Sequence, residues 1–127
     1  IEAAETAKAM LQWAEEVKRA HEARQIPPSQ RIELFVAALG DLRLVALPFE
    51  AYSDISLRIK QALRPLKTIF IGYANGLWGY CASSWAKAQG GYGPETAHRW
   101  FGGQLTAFGY GADEILVRES ITLVSAL

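Results

Sequence analysis

This chain of 127 residues has one cysteine, no formal net charge and no long apolar run. Its one cysteine, Cys81, cannot form an internal disulfide, so cysteine usage leaves the redox compartment open. The 13 basic and 13 acidic residues cancel, which leaves no overall field that would attract nucleic acid or anionic lipid. We therefore expect neither of these as the partner.

No apolar run approaches the roughly 18 residues that a membrane span requires, and we expect no transmembrane segment. The two histidines lack a His-Xaa-His or His-Glu-Xaa-Xaa-His spacing, so we expect no complete zinc site from this sequence alone. The sequence opens on Ile1 rather than Met, within a segment of helical composition, as a fragment, a processed subunit or a truncated chain would.

The apolar pattern predicts an α+β fold in which one sheet, containing a β-hairpin, is flanked by an N-terminal, a middle and a C-terminal helix. Half of the residues are apolar, which suits a single domain over residues 1–127. The last predicted strand is β-branched and aromatic with few charges, so we expect both of its faces to be covered. The predicted order is a helix over 1–25, a hairpin of strands over 32–38 and 42–47, a helix over 53–63, a strand over 68–71 and a helix over 112–127.

Most of the 11 glycines lie between residues 76 and 111, among many aromatic residues. This composition predicts loops and short elements, where binding residues concentrate, with a short helix over 84–89 that a serine caps. Two interpretations are open for the aromatic residues at the end of this stretch, a surface for a lipid tail or core packing. These residues are Trp100, Phe101, Phe108 and Tyr110.

Glu50 ends the apolar run 45–50, which reads VALPFE. A carboxylate at the end of a strand is either an ordinary surface charge or a metal ligand that the strand holds rigidly. Tyr80 ends the run 71–80, which reads IGYANGLWGY, and it is either a half-buried aromatic or a phenolate ligand that a nearby cation favours. Within that run, Asn75 is expected to adopt a left-handed backbone conformation and fix the turn.

Tyr92 follows two glycines, which allow the backbone to bend sharply. It is either a loop tyrosine packed beside Trp85 or a hydrogen-bond donor placed at a reaction centre. The remaining candidates are weaker. His21 is expected to be solvated, His98 to be structural, and Cys81 to be a buried, inert thiol.

The order of these motifs resembles the C-terminal part of the catalytic domain of the neutral, or non-lysosomal, ceramidases. That family has a Leu-Pro-Gly-Glu-like corner, then an Asn-Xaa4-Tyr turn, then a Gly-Gly-Tyr segment, and the match runs from about Ser29 to the end of the chain. The resemblance implies that Glu50 and Tyr80 bind a catalytic zinc ion and that Tyr92 faces the scissile amide. It also implies that residues 1–127 are the C-terminal portion of a larger catalytic domain.

The family's other two zinc ligands are upstream histidines that nothing in this sequence matches, so an N-terminal half or a second chain would complete the site. Several neighbours of the ligands also depart from the family pattern. Phe49 replaces a glycine and is expected to narrow the space near the metal. The other departures are Ser83, Ser84, Trp85, Lys87 and Gly93.

The function that the resemblance implies is a zinc-dependent amidase that hydrolyses an N-acyl, ceramide-like amide. The alternative is a non-catalytic relative or fragment of that fold that serves binding or assembly. The relatives are often secreted or membrane-facing, and the sequence itself does not decide the compartment.

Overall fold

The computed structural model describes residues 2–27, 29–100 and 104–127. A π-helical turn over Tyr92–Thr96 and a 3-10 helix over Ala97–Trp100 accompany the regular elements. The helices are α1 (Glu2–Glu22), α2 (Ser53–Ala62), α3 (Ser84–Gln89) and α4 (Ala112–Ser125). The strands are β1 (Phe35–Leu39), β2 (Leu42–Ala46), β3 (Glu50–Ala51), β4 (Lys67–Ile71) and β5 (Tyr80–Cys81).

The main sheet has three strands in the order β1-β2-β4. β1 and β2 form an antiparallel hairpin, and β2 pairs in parallel with β4 after the α2 crossover. This confirms the predicted α+β fold with a hairpin and three flanking helices. β3 and β5 form a second, two-stranded parallel sheet beside it.

The core lies on the inner face of the main sheet, where α2 and α4 pack against β1, β2 and β4. Apolar side chains at helical spacing on both helices meet the alternate residues of the strands, because strand side chains alternate between the two faces. Its buried centre comprises Val45, Leu47, Phe49, Ile55, Ile59, Leu63, Cys81, Leu116 and Val124.

The prediction that both faces of the strand over 68–71 are covered is wrong. β4 is an edge strand, and its side chains alternate between the core and solvent. Ile69 and Ile71 on the outer face are 46% and 41% exposed. The helices cover the inner face, and the described residues place no second layer on the outer one.

The predicted boundaries differ from the observed ones at the N-terminal side. The first strand begins at Phe35 rather than at residue 32, although Ile32 and Leu34 still pack against the core. α1 ends at Glu22, and Arg24 follows with a φ of 55° that no α-helix accommodates. The expectations that concern Ile1 and Phe101 lie outside the described residues. No helix among those residues is both long and apolar enough to cross a membrane.

Asp113 joins three elements in the C-terminal half. Its side chain is almost fully buried in the first turn of α4, where it accepts hydrogen bonds from Arg58 on α2 (2.7 Å) and Ser84 on α3 (2.8 Å). Burial alone would raise the pKa of this carboxyl group, but the hydrogen bonds from Ser84 and Arg58 outweigh it and lower the pKa. The ionised carboxylate therefore stabilises the fold.

Asp113→Ala is expected to lower the free energy of unfolding by about 1–3 kcal/mol at neutral pH, because it leaves the groups around a buried carboxylate unpaired. Because the pKa of Asp113 is lower in the folded state, its carboxylate stabilises the fold fully above the unfolded-state pKa of about 3.9. This stabilisation is lost as the pH falls through the folded-state pKa. The difference in unfolding free energy between the parent and Asp113→Ala should therefore shrink in acid. Chemical denaturation measures both effects. The control is Asp41→Ala, which breaks an exposed ion pair with Lys67 and should cost less than about 1 kcal/mol. Equal losses for the two variants would contradict the role of Asp113.

Candidate functional site

Backbone pairing between β3 and β5 fixes the position of the candidate site. In this parallel pair Glu50 lies opposite Tyr80. The Glu50 amide donates to the Gly79 carbonyl oxygen (2.9 Å), and the Tyr52 amide donates to the Cys81 carbonyl oxygen (3.0 Å). Residues in register on parallel neighbours project from the same face, so the structure brings Glu50 and Tyr80 together across 30 positions of sequence.

The corner at residues 47–49 turns the chain from the main sheet into β3. The Leu47 amide donates to the Ile71 carbonyl oxygen (3.0 Å), and the Tyr73 amide donates to the Phe49 carbonyl oxygen (3.0 Å). A Cβ atom at Gly72 would lie 2.9 Å from that Phe49 oxygen, so this close approach requires glycine. The end of β4 is thereby held against the entrance to β3.

The carboxylate of Glu50 is surrounded by phenols. The Tyr73 hydroxyl donates a hydrogen bond to Oε2 of Glu50, and Tyr80 is also hydrogen-bonded to this side chain. The hydrogen bond to Glu50, followed by burial and the negative charge of Glu50, raises the pKa of Tyr80 to about 12. The hydrogen bond that Tyr73 itself donates to Glu50 is the main reason that the pKa of Tyr73 is raised. Without a cation, therefore, both phenols keep their protons.

Tyr92 adjoins this pair through its ring. The centroids of the Tyr92 and Tyr80 rings lie 5.9 Å apart in an edge-on arrangement, and the Tyr92 side chain is 57% exposed. All three residues that the sequence analysis singled out, Glu50, Tyr80 and Tyr92, thus form one surface cluster. More than half of Tyr92 is exposed, so a ligand can reach this residue from solvent.

Phe49 does not narrow this site, and that expectation is wrong. Its side chain is 1% exposed and packs edge-on against Phe108, with ring centroids 5.0 Å apart. Because strand side chains alternate, Phe49 and Cys81 point away from the face that carries Glu50 and Tyr80. They line a separate cavity of about 380 Å³. The side chain of Phe49 therefore belongs to the core rather than to the site.

The other candidates have structural roles. Cys81 is fully buried, and burial raises the pKa of its thiol to about 12, as expected of an inert cysteine. His98 is 8% exposed and packs edge-on against Trp13 of α1, and burial lowers the pKa of its imidazole. Asn75 has a φ of 60°, which confirms the predicted left-handed turn.

No set of three or more histidine, cysteine, aspartate or glutamate side chains that could hold a metal ion occurs in the described part of the chain. The cluster offers one carboxylate and several phenols. Oxygen ligands of this kind suit zinc, but a catalytic zinc site normally has three protein ligands. Glu50 and Tyr80 therefore fit as part of a ligand set.

Two residues of the cluster went unrecognised in the sequence. Tyr73 lies two positions beyond the end of β4 and reaches Glu50 because its φ of 56° turns the chain back. Tyr52 lies two positions after Glu50, and its ring is edge-on to Tyr80 at 6.3 Å. Burial, and then the charge of Glu50, raises the pKa of Tyr52. Side chains alternate along an extended segment, so the sequence could have predicted that Tyr52 lies on the same face as Glu50. Nothing in the sequence indicated the chain reversal at Tyr73.

Comparison of the chain with protein-family models, with curated proteins and with solved structures finds no match. The resemblance to neutral ceramidases therefore rests on the motifs themselves.

Gly93, one of the departures from the family pattern, makes room for Tyr52. A Cβ atom at this position would overlap the Tyr52 hydroxyl and lie 3.1 Å from Cζ of the ring. Gly93 belongs to the π-helical turn that begins at Tyr92, and Tyr52 contacts the ring of Tyr80. The absence of a side chain at Gly93 thus leaves room for the ring of Tyr52 beside Tyr80.

Gly93→Ala is expected to lower the free energy of unfolding by about 1 kcal/mol or more, because the Tyr52 ring must move to accommodate the methyl group. Denaturation and tyrosine near-ultraviolet circular dichroism measure the two effects. In a Tyr52→Phe background the loss should be smaller, since the overlapping hydroxyl is gone. Gly109→Ala is the matched control, because a Cβ atom there meets nothing within 4 Å. A Gly93→Ala protein as stable as the Gly109→Ala protein would refute this packing role.

Proposed function

We propose that this chain carries part of the active site of a zinc-dependent amidase resembling neutral ceramidases, which hydrolyses an N-acyl, ceramide-like amide. The observation that carries the proposal is the register of β3 and β5, which sets Glu50 against Tyr80 with Tyr92 beside them. These are the residues, in the order along the chain, that the resemblance assigns to zinc binding and to the scissile amide.

The chemistry of the cluster supports a cation at Glu50. The hydroxyl groups of Tyr73 and Tyr80 both reach the carboxylate of Glu50, so a cation bound there would meet several oxygen atoms in exchange for the phenol protons. The pKa of Tyr80, about 12 without a metal, would fall beside a divalent cation, since positive charge favours the phenolate. Glu50 and Tyr80 would hold the ion together with ligands from an N-terminal half or a second chain.

A bound zinc ion supplies Lewis acidity and a nucleophile derived from water at neutral pH. Two residues of this chain have the remaining roles. Glu50, fixed by the backbone of β3, orients the ligand set. The hydroxyl of Tyr92, a residue that is more than half exposed, would donate a hydrogen bond to the amide oxygen as that oxygen gains negative charge. A placed donor of this kind contributes about 2.7–4 kcal/mol in other hydrolases.

A lipid-like substrate is what the resemblance implies. Tyr73, which is 53% exposed, contacts Glu50, whereas Trp78 lines a separate cavity with Leu105 and Phe108. The proposal of an N-acyl lipid as the substrate therefore rests on the motifs rather than on the surface around the site.

One observation favours a second candidate, a non-catalytic relative that serves binding or assembly. The hydrogen bonds from Tyr73 and Tyr80 satisfy Glu50 without any metal. A carboxylate partnered in this way is stable as a structural element. Metal content separates the two candidates.

Tyr80→Phe is expected to lower zinc occupancy, because it removes a ligand. Tyr92→Phe should leave zinc bound and lower kcat by roughly 10²–10³ with little change in KM, since its hydroxyl acts mainly in the transition state. The measurements are metal analysis and hydrolysis of an N-acyl sphingosine, on the protein together with the polypeptide that completes the site.

The matched control is Tyr110→Phe, because Tyr110 is 70% exposed and contacts Lys87 rather than Glu50. It should retain both zinc and activity. Parent-like activity of Tyr92→Phe would remove Tyr92 from the mechanism. Absence of zinc from the parent, with every ligand-bearing polypeptide present, would favour the non-catalytic candidate.

A further inference from the structure

Residues 31–34 resemble a strand, but they have no partner strand among the described residues. Their side chains extend the alternation of β1 toward the N-terminus. Arg31 and Glu33 are exposed, whereas Ile32 and Leu34 are half-buried and pack against the core. Backbone pairing with β2 nevertheless begins only at Phe35. The segment therefore has the side-chain pattern of a strand but not its backbone hydrogen bonds.

The pairing stops at this point because the neighbouring strand turns away. Leu47 is the residue that the register of the hairpin would place opposite Leu34. Its amide donates to the Ile71 carbonyl oxygen (3.0 Å), and its carbonyl oxygen accepts from the Ala74 amide (2.9 Å). Pro48, which follows, has no amide hydrogen to donate. The main chain after β2 thus leaves residues 31–34 without a neighbour.

The main-chain groups of residues 31–34 are open as a result. Among the described residues, none of these amide and carbonyl groups pairs with another backbone group. The Arg31 carbonyl oxygen accepts a long hydrogen bond from the side chain of its neighbour Gln30 (3.4 Å). Unpaired main-chain groups along an extended segment are a template for the addition of another strand. The backbone itself therefore favours an extended peptide as the partner.

The cavity that Phe49 and Cys81 line adjoins the same segment. It has a volume of about 380 Å³, and it lies between Ile32 and Leu34 on one side and helix α4 on the other. Its inner wall is apolar and fully buried, whereas the polar residues at its rim are exposed. An apolar cavity of about 150 Å³ holds a benzene molecule, so this volume accepts two large apolar side chains.

A strand paired with residues 31–34 would direct alternate side chains toward this cavity. Side chains that lie opposite each other on adjacent strands are about 5 Å apart, so those beside Ile32 and Leu34 share the same space. They must be apolar, because the cavity wall offers no partner for a buried charge. On the other face, Arg31 and Glu33 form no ion pair among the described residues. One acidic and one basic residue of the peptide would complement them.

The same features argue against two other occupants. A second copy of this chain that paired through residues 31–34 would present Ile32 and Leu34. These side chains already pack against their own core, so they are not free to enter the cavity of another copy. A small apolar molecule would fill the cavity but would leave the main-chain groups unpaired. An extended peptide uses both the cavity and the main chain.

We propose that residues 31–34 and the adjoining cavity bind an extended peptide of a partner protein, which adds a strand beside this segment. Two apolar residues of the peptide, separated by one residue, enter the cavity. One acidic and one basic residue lie on its other face, opposite Arg31 and Glu33. The site does not depend on the proposed amidase, because the cavity lies on the side of β3 and β5 that faces away from Glu50.

Blocked hexapeptides test the proposal, with leucine or phenylalanine at the second and fourth positions and glutamate and lysine at the third and fifth. Amide hydrogen exchange, followed by nuclear magnetic resonance, measures the pairing. When about nine-tenths of the chain is bound, the paired amides of residues 31–34 should exchange roughly tenfold more slowly, since only the free tenth exchanges. The same peptides with N-methylated backbone amides should bind roughly tenfold more weakly, because they keep the side chains but lose the main-chain donors.

A substitution in the cavity gives a second test. Ala112→Phe fills the space between α4 and residues 31–34 and should weaken peptide binding by roughly tenfold. Ala126→Phe is the matched control, because Ala126 lies at the exposed end of α4 and does not line the cavity. It should bind the peptides as the parent does. If Ala112→Phe does not fold, the N-methylated peptides still decide the outcome.

Three results would overturn the proposal. The first is unchanged exchange of residues 31–34 with every peptide, and the second is equal affinity for the N-methylated peptides or for folded Ala112→Phe. The third is protection of residues 31–34 that rises with protein concentration when no peptide is present, since it would assign the segment to a second copy. None of these results bears on zinc binding at Glu50 and Tyr80, which metal analysis tests separately.

Discussion

The parallel backbone pairing of Glu50 with Tyr80 is the constraint on which the candidate site depends. Two short strands carry it, and neither would be stable alone. They are held because Phe49 and Cys81, their inward neighbours, are fully buried in the core. A shift of one residue in this register would turn Glu50 inward and expose Phe49, so core packing and site geometry are specified together.

The phenols around Glu50 follow from that register. Tyr80 is placed by β5, Tyr73 by the left-handed turn after β4, and Tyr52 by the continuation of β3. Each of these residues adds a hydroxyl group or a ring to the cluster around the carboxylate of Glu50. The phenols of the cluster keep their protons when no cation is present. Under the proposed function, a bound cation would take the place of those protons.

Much of the fold could be predicted from the sequence, because helical spacing, strand alternation and turn residues are local signals. The hairpin, the middle and C-terminal helices and the convergence of Glu50 with Tyr80 all followed from such patterns and motifs. The hydrogen bond from Tyr73 did not, since it depends on a chain reversal. Nor did the exposed face of β4, because its residues are typical of a strand covered on both sides, whereas the structure leaves Ile69 and Ile71 largely exposed.

The most direct measurement is anomalous diffraction at the zinc edge from crystals of the protein bound to the polypeptide that completes it. The proposal predicts an anomalous peak about 2.0–2.2 Å from a carboxylate oxygen of Glu50, with the Tyr80 hydroxyl oxygen as a further ligand and histidine nitrogens from the partner. A peak elsewhere, or Glu50 still hydrogen-bonded to Tyr73 and Tyr80 with no metal in the assembled protein, would contradict it.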